Sequence, residues 1–510
     1  MAWRGICGEE LKAWQELVLL LDDVWERIDL LKLAVPSPNS HECKIIFTTQ
    51  LEEELILLWI AEGFLAEFDC NIHEARKQGE DIISTLKYAC LLENGEKDDT
   101  VKMHDVIRGT ALWLANDHGD TMRFIVRSYS MTTGLEVYND PKWKEVEKLS
   151  MWGGGDVSTN FSQKPHCPNL VPLLIRNTWI QAFPTEAFVL PSTVKVLDFS
   201  SNYGIRDVPS EIGDFVNLEH MNLYNTRIRK LPEELKNLKK LKVLLLDRMH
   251  VLEFPEKVIS GLLSLQAFST RRSKIGGIDE NVLLNELEGL DRLQDIRIYV
   301  FSTSSVDKIL NSPKLQRCMC ELFVTRVHSS LRDLFSSLGN MKHLETLTVD
   351  ACEVAETPRS LFRAHDYINL RKLVLTGFHN MLDLNWLIHA PNLEFLTLAY
   401  CDSLVEVISS EDFGTEIQKN NLFCSLSYLR LRYLRNLRSI CRTALEFPCL
   451  KEIEVFHCGN LKKLPFSQNT LKNLQCFIGY AEELLDQLEW EDEATKDLLS
   501  SKFRRVIISV

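Results

Sequence analysis

One repeated pattern constrains the fold of this 510-residue chain more than any other feature. The pattern is L-x-x-L-x-L, which first occurs at Leu170 (LVPLLI), last occurs at Leu474 (LQCFIG), and recurs between them at intervals of 22 to 33 residues. A period of this length indicates a stack of supersecondary units, because one unit is too short to bury its own apolar face. The sequence therefore predicts an elongated repeat array over its last two thirds.

Each copy of the pattern predicts one short β-strand whose leucines point into the stack and whose intervening residues point outward. This leucine spacing is typical of leucine-rich repeats, so we expect a right-handed leucine-rich-repeat solenoid over 166–476. Three residues after the last apolar position, each repeat needs a small polar or thiol side chain that bonds backbone inside the turn. We assign this structural role to five residues, called here the slot residues because they fill this position in the turn: Asn202, Thr226, Cys352, Cys401 and Cys458.

The outward positions of the strands form the candidate binding surface. They mix aromatic residues with arginines, which supply much of the binding energy at protein interfaces. The alternative is that they are only solvated strand residues. The predicted partner-binding residues are Tyr224, Phe395, Tyr428, Arg430, Arg432 and Phe456. The basic run around Arg430 and Arg432 suggests that this part of the surface faces an acidic partner or another domain of the same chain.

Charge and cysteine content exclude several classes of function. Lysine and arginine total 58 against 72 aspartate and glutamate, and 58 − 72 gives a formal net charge of −14. Such a chain lacks the basic surface of a general nucleic-acid binder. No apolar run approaches the roughly 20 residues that a bilayer requires, and no secretory signal is evident. The 14 cysteines contain no C-x-x-C pair, so we expect no zinc site and a reducing, cytoplasmic compartment.

The first 50 residues contain the pattern most suggestive of chemistry. An apolar run from Leu17 to Leu21 ends in Asp22 and Asp23. At the carboxyl end of a buried parallel strand, Asp22 would suit Mg²⁺ and Asp23 would polarise a water. The alternative is a strand followed by a capped turn. The phosphate-binding loop G-x-x-x-x-G-K-[ST] is missing from this sequence, which argues against tight nucleotide binding by this segment alone.

Residues 51–120 are predicted to be helical. Apolar residues at helical spacing run from Leu55 to Phe64, and a second helix follows from Ala75 to Tyr88. His104 and Asp105 precede a further helix, where such a pair usually makes local hydrogen bonds. A linker is predicted at 121–165, and an acidic C-terminal tail at 477–510.

Taken in order, these motifs resemble a known family. LVLLLDDVW at Leu17–Trp25, KIIFTTQ at Lys44–Gln50, LILLWIAEGF at Leu55–Phe64 and MHD at Met103–Asp105 precede the repeats. The chain is similar to plant intracellular disease-resistance proteins of the nucleotide-binding (NB-ARC) leucine-rich-repeat class, in the branch with an amino-terminal coiled coil. The resemblance covers nearly the whole chain.

The resemblance implies specific roles. It makes 1–50 a remnant of an α/β P-loop NTPase domain and 51–120 a winged-helix-like region, so the overall fold class is α/β. Asp22 would hold Mg²⁺, Asp23 would serve hydrolysis, and His104 would contact the β-phosphate of ADP. The family arginine that senses the γ-phosphate is replaced by Gln50. The blocks around Gln50 and Leu51 abut where the family has a long segment, which suggests an internal deletion and a shortened N-terminus.

Two functions remain open from the sequence. In the first, an immune receptor recognises a pathogen effector or a guarded host protein through its repeats and switches between ADP and ATP with Mg²⁺. In the second, the repeats act as a nucleotide-independent decoy or regulator, or the chain is a non-functional fragment. In both, the chain is not an enzyme in the ordinary sense and resides in the cytoplasm or, through partners, at the inner face of the plasma membrane. A full-length relative is a further expected partner. An extracellular repeat receptor is the weakest alternative.

Overall fold

The structure is a computed structural model. It describes residues 52–505 with gaps at 66–70, 96–99, 117, 119, 122, 129–140, 154–165, 179, 182, 184–190, 277–278, 326, 328–330, 351–366, 410–421, 443–444, 467, 480–482 and 491. The predicted NTPase remnant at 1–50, with Asp22 and Asp23, and the predicted slot residue Cys352 lie outside the described residues. The chain forms two compact units, 1–227 with 237–244 and 228–236 with 245–510, called here unit 1 and unit 2.

Unit 1 begins with a small helical region, where the sequence predicts one. Its elements are α1 (Glu52–Ala61), α2 (Ile72–Tyr88), β1 (Glu93–Asn94), β2 (Val101–Lys102) and α3 (Asp105–Ala115). Three glutamates in the first turn of α1 stabilise the helix, because they lie at the positive N-terminal end of its dipole. Asn71 caps α2 by accepting hydrogen bonds from the backbone N–H groups of His73 and Glu74. The two short strands pair antiparallel.

The repeat strands of unit 1 form a parallel sheet. They are β3 (Phe124–Ser128), β4 (Lys148–Trp152), β5 (Pro172–Arg176), β6 (Val196–Asp198), β7 (His220–Asn222) and the first two residues of β8 (Val243–Leu245). A 3-10 helix, Ser210–Asp214, lies on a return segment, and another spans Pro141–Glu145. Leucines occupy matched positions, since Leu149 pairs with Leu173 and Leu173 pairs with Leu197. The predicted linker at 121–165 therefore differs from the structure, which places β3 and β4 there.

Unit 2 continues the same architecture with longer strands. Its main parallel sheet contains β10 (Ala267–Ser269), β12 (Asp295–Val300), β13 (Met319–Thr325), β14 (Thr346–Asp350), β15 (Lys372–Thr376), β16 (Phe395–Ala399), β17 (Tyr428–Arg432), β18 (Glu452–Phe456), β19 (Cys476–Gly479) and β20 (Phe503–Arg505). A separate parallel pair is formed by β9 (Val251–Glu253) and β11 (Lys274–Gly276).

The helices of unit 2 lie on the return segments or follow the last repeats. The α-helices are α4 (Glu280–Glu288), α5 (Thr303–Asn311), α6 (Pro313–Cys318), α7 (Leu331–Ser337), α8 (Gln468–Asn473), α9 (Glu483–Gln487) and α10 (Glu493–Ser501). The 3-10 helices are Glu233–Asn237, Ile259–Gly261, Leu338–Asn340 and Asn385–His389. The alternation of parallel strand and return segment is what the repeat pattern predicts.

The slot residues bond backbone as the sequence predicts. The Asn202 side-chain amide donates to the carbonyls of Ile175 at 2.7 Å and Phe199 at 2.9 Å. The Cys401 thiol lies 3.3 Å from the Ala399 carbonyl, and the Cys458 thiol 3.4 Å from that of Phe456. Burial raises the pKa of Cys401 to about 12 and that of Cys458 to about 11. Because thiolates are the reactive form, these contacts and shifts fit a structural role.

The last residues differ from the predicted acidic tail at 477–510. Within that range lie α9, α10 and the edge strand β20, which pairs with β19. The Phe503 ring packs against the buried Phe477 ring at 5.7 Å between centroids. This ring burial gives the segment the apolar anchor that a solvated tail lacks. No helix among the described residues is long and apolar enough to cross a membrane.

Candidate protein-recognition face

Five of the six predicted partner-binding residues lie together on the outward face of β16, β17 and β18 in unit 2. In register, Phe395 pairs with Tyr428, and Arg432 pairs with Phe456. Arg430 stands between them on the middle position of β17. The sixth, Tyr224, belongs to unit 1 and follows β7, where its backbone N–H donates to the Asn222 side chain at 2.9 Å.

The two aromatic residues at the start of β16 and β17 form a stack. The rings of Phe395 and Tyr428 are 4.6 Å apart and parallel to within 1°. The ammonium of Lys372, the neighbour of Phe395 on β15, lies 5.9 Å from the Phe395 ring centroid. A cation on an aromatic face is attracted by the ring quadrupole. The half-buried rings are therefore held in fixed positions on the face.

The arginines of β17 pair with glutamates of β18. Arg430 lies 3.3 Å from Glu452 and 3.4 Å from Glu454, and Arg432 also bonds Glu454. The hydrogen bond to Glu454 is the main reason why the pKa of Arg432 is raised above its usual value. Glu454 is buried, and a buried carboxylate requires such partners.

This pairing differs from both expectations drawn from the sequence, an acidic partner or another domain. The acidic groups that compensate Arg430 and Arg432 come from the same chain, one repeat further on. The arginine patch is thus closer to neutral than its sequence suggests. The same face also carries half-buried uncharged residues, Thr348, Val374 and Thr397, on β14, β15 and β16.

Sequence reasoning missed a second charged group in unit 2, which we call the ion-pair chain: Asp247, Arg271, Glu321, Arg297, Asp295 and Glu345. Arg271 lies 2.8 Å from Asp247 and 3.0 Å from Glu321. Arg297 lies 2.7 Å from Glu321, 3.1 Å from Asp295 and 3.2 Å from Glu345. Alternating arginines and carboxylates across five repeats therefore neutralise one another.

Burial determines the pKa shifts within the ion-pair chain. Desolvation raises the pKa of the Asp247 carboxyl, and the opposing attraction of Arg271 is the next largest influence. Asp295 and Arg297 are both buried. The available sequence signal was the D-x-R spacing at outward positions of β12, but its partners are 24 and 48 residues away along the chain.

The outward strand face of unit 1 has a different environment, because α1 packs on it. Leu58 and Ala61 of α1 form one buried cluster with Leu174 of β5 and Val196 of β6. Lys148, on β4, forms an ion pair with Glu62, which follows α1. The whole apolar segment Leu55–Ala61 is buried. This part of the strand face is thus covered by the chain itself.

Next to Val196 in register, His220 occupies a buried outward position on β7. Its Nδ1 atom makes no hydrogen bond within the described part of the chain. Burial lowers the pKa of this imidazole to about 4, and the nearby Asp198 only partly opposes the shift. The histidine is therefore neutral in the folded protein at ordinary pH.

Comparisons with known proteins agree with this architecture. A family model described as a leucine-rich repeat region matches residues 180–493, and one described as an NB-ARC domain matches residues 10–54. The chain is 33% identical over 473 residues to "Disease resistance protein RPS5" from Arabidopsis thaliana, covering 89% of this chain and 52% of that protein. It is 32% identical over 496 residues to "Probable disease resistance protein At5g63020" from the same plant, covering 92% and 54%.

The chain belongs to the NB-ARC leucine-rich-repeat disease-resistance family. The predicted family and the predicted leucine-rich-repeat fold are thereby confirmed. The chain spans about half the length of the curated relatives it matches. Among solved structures, an internalin from Listeria monocytogenes aligns with a TM-score of 0.41 at 15% identity, covering 64% of this chain and 88% of that one.

The family implies a nucleotide site, and of the three residues predicted for it in this disease-resistance chain the structure describes His104. His104 caps α3 at an exposed position, where its Nδ1 accepts the Val106 backbone N–H at 3.2 Å. This is the local helix-start role that the sequence also suggested. Asp22 and Asp23 lie outside the described residues. Among the residues that are described, no cluster of three or more His, Cys, Asp and Glu side chains could hold a metal ion.

Proposed function

We propose that this chain acts in plant defence by recognising a protein, either a pathogen effector or a guarded host protein, through its repeats. The observation that carries the proposal is the outward face of β14–β18. Uncharged, half-buried side chains there adjoin aromatic rings and arginines that ion pairs hold in place. Rigid aromatic and arginine side chains are typical anchors of protein interfaces. The disease-resistance names of the relatives supply the biological setting.

Within this proposal, the repeats bind their partner without a nucleotide cycle in this chain. His104 is engaged as a helix cap, which supports a recognition scaffold or regulator over a working ADP/ATP switch. A full-length relative is a further proposed partner. We place the protein in the cytoplasm, or at the inner face of the plasma membrane through its partners.

A switch remains the second candidate, because the NB-ARC match at 10–54 includes both Asp22 and Asp23. In that case Asp22 would hold Mg²⁺, Asp23 would serve hydrolysis and His104 would contact ADP, as the family resemblance implies. Chromatography of the nucleotide released on denaturing the purified chain separates the two candidates. About one ADP per chain, lost in His104→Ala, would favour the switch. Its absence from a folded chain would favour the scaffold.

Recognition by the strand face is tested by crowding it without removing a native contact. To identify the bound protein, the chain would be expressed in leaf tissue with a photo-crosslinking residue at position 397. Thr397→Arg should then weaken binding of that purified protein at least tenfold, because a long side chain displaces it from the centre of the face. Ser336→Arg, on the exposed surface of α7, is the matched control. Equal binding by Thr397→Arg and the unmodified chain would refute the assignment of the face.

A further inference from the structure

In several repeats of unit 2, the residue just before the slot position has a left-handed backbone conformation. The backbone φ at this position is 55° at Arg248, 55° at Arg272, 77° at Gly377, 54° at Tyr400, 54° at Tyr433 and 53° at His457. Glycine and asparagine occupy this region most readily, because a side chain there crowds the following carbonyl. Three successive repeats carry an aromatic side chain there; histidine is enriched at positive φ, whereas tyrosine is uncommon, so the two tyrosines need a reason.

Those three aromatic residues form a continuous surface stack, which we call the turn stack: Tyr400, Tyr433 and His457. The Tyr400 and Tyr433 rings are 4.6 Å apart and 6° from parallel, and the Tyr433 and His457 rings are 4.6 Å apart and 17° from parallel. Tyr400 is 48% exposed and Tyr433 is 36% exposed. The stack therefore contributes little to the core, and its strained backbone positions point to a role at the surface.

The turn stack ends at Tyr400 because the preceding repeat has glycine at the same position. The Gly377 N–H donates to the Ala399 carbonyl at 2.9 Å, so the two repeats are in register. Since Gly377 has no side chain, that repeat adds no group to the stack. The terminal ring of Tyr400 is accordingly more exposed than the enclosed ring of Tyr433.

Other aromatic groups on this unit are capped by cations of the same chain. Lys372 lies over Phe395 at 5.9 Å, and Arg432 lies over Phe456 at 5.8 Å. No lysine or arginine of the described residues lies over the Tyr400 ring in this way, although Arg432 interacts electrostatically with Tyr400. Two residues beyond it, Asp402 presents a partly exposed carboxylate that pairs with His379 at 3.1 Å. An exposed aromatic ring attracts a planar cation, and a carboxylate two residues further along the chain can serve as its counter-ion.

We propose that the Tyr400 end of the turn stack receives an arginine side chain of the protein partner. The guanidinium stacks on the exposed part of the Tyr400 ring, with Asp402 as its counter-ion. This inference rests on the proposed function and names a chemical feature of the partner. Arginine is favoured over lysine because a flat guanidinium matches the ring stack and the carboxylate together.

The test uses the whole chain labelled with 3-fluorotyrosine, with the Tyr400 signal assigned from Tyr400→Phe. The probes are blocked pentapeptides of glycine with arginine, citrulline or tryptophan at the centre. Citrulline keeps the planar shape and removes the charge. We expect a saturable shift of the Tyr400 fluorine signal with the arginine peptide and at least tenfold weaker binding of the citrulline peptide. Asp402→Asn should weaken the arginine peptide several-fold.

Gly377→Arg should abolish the shift, because the chain's own guanidinium would then occupy the stack. Arginine is compatible with this backbone, since Arg248 and Arg272 have φ of 55° at the equivalent position. Gly63→Arg, at an exposed left-handed glycine in unit 1, controls for the added arginine charge. Tyr400→Asn, with a residue suited to positive φ, provides a second variant that removes the ring.

Equal binding of the citrulline peptide, preference for the tryptophan peptide, or an unchanged shift in Gly377→Arg would each overturn the proposal. The same variants separate it from the broader function. If Thr397→Arg abolishes binding of the identified partner while Gly377→Arg and Tyr400→Asn leave it intact, the strand face is used and the turn stack is not. If Thr397→Arg also leaves binding intact, the proposed function itself fails.

Discussion

The strand faces of the two units are built from the same repeat and differ in which groups contact their outward side chains. In unit 1, the outward residues Leu174 and Val196 pack under helix α1 in an apolar cluster. In unit 2, β14–β18 keep half-buried uncharged residues and exposed arginines whose charges are balanced within the face. The repeat fixes where outward residues stand, while their chemistry decides whether the face is covered by the chain or left open to a partner.

The largest expected effect concerns the ion-pair chain of unit 2. Arg297→Met should lower the free energy of unfolding by about 3–5 kcal/mol, because buried Asp295 and its neighbours lose their shared cation. Urea unfolding measures the change. Arg371→Met is the control, since its pair with Glu394 is 3.9 Å long and about half exposed, and it should cost less than about 1 kcal/mol. Similar losses in both variants would contradict the distinction between buried and exposed pairs.

The next effect concerns the apolar cover of unit 1. Leu58→Ala should cost about 2–4 kcal/mol, because it leaves a cavity between α1 and the strands. Hydrogen exchange should also quicken in α1 relative to the unmodified chain. Leu263→Ala is the control, because that leucine is 60% exposed in unit 2. Unchanged exchange in α1 together with unchanged stability would refute the packing of α1 on β5 and β6.

A third effect is the pH dependence of stability that His220 gives to unit 1. The pKa of His220 is about 4 in the folded chain and about 6.5 when unfolded. Because the unfolded chain takes up the proton first, stability falls as pH drops below about 6.5, by up to about 3 kcal/mol near pH 4. His220→Gln should remove this part of the pH dependence. Urea unfolding of both proteins between pH 7 and 4 measures it, and parallel curves would show that His220 is not buried as described.

The smallest expected effect is on the open face of unit 2. Tyr428→Ala should cost about 1 kcal/mol of stability, since the half-buried ring loses its stack with Phe395. The effect on affinity for the identified partner should be larger, because interface aromatics often contribute 2 kcal/mol or more. Calorimetry and urea unfolding of the same variant provide the ratio. A larger loss of stability than of affinity would assign the stack to the fold and not to recognition.

Much of the repeat fold follows from the sequence, because L-x-x-L-x-L has a short period that is visible along the chain. The slot residues Asn202, Cys401 and Cys458 follow from the same spacing and have the expected contacts. The strands at 124–128 and 148–152 were not predicted, since their repeats depart from the leucine pattern and their burial depends on neighbouring repeats. The final strand β20 was not predicted either, because its sequence also departs from the leucine pattern.

The family, the parallel repeat strands and the outward positions of Phe395, Tyr428 and Arg430 all follow from the order of residues along the chain. Three features became visible only in the folded chain: Glu452 and Glu454 pair with the arginine patch, α1 covers the outward face of β5 and β6, and the turn stack ends at Tyr400. Each of these depends on residues more than 20 positions apart. Local spacing fixes the direction of a side chain, but register between repeats determines its neighbours.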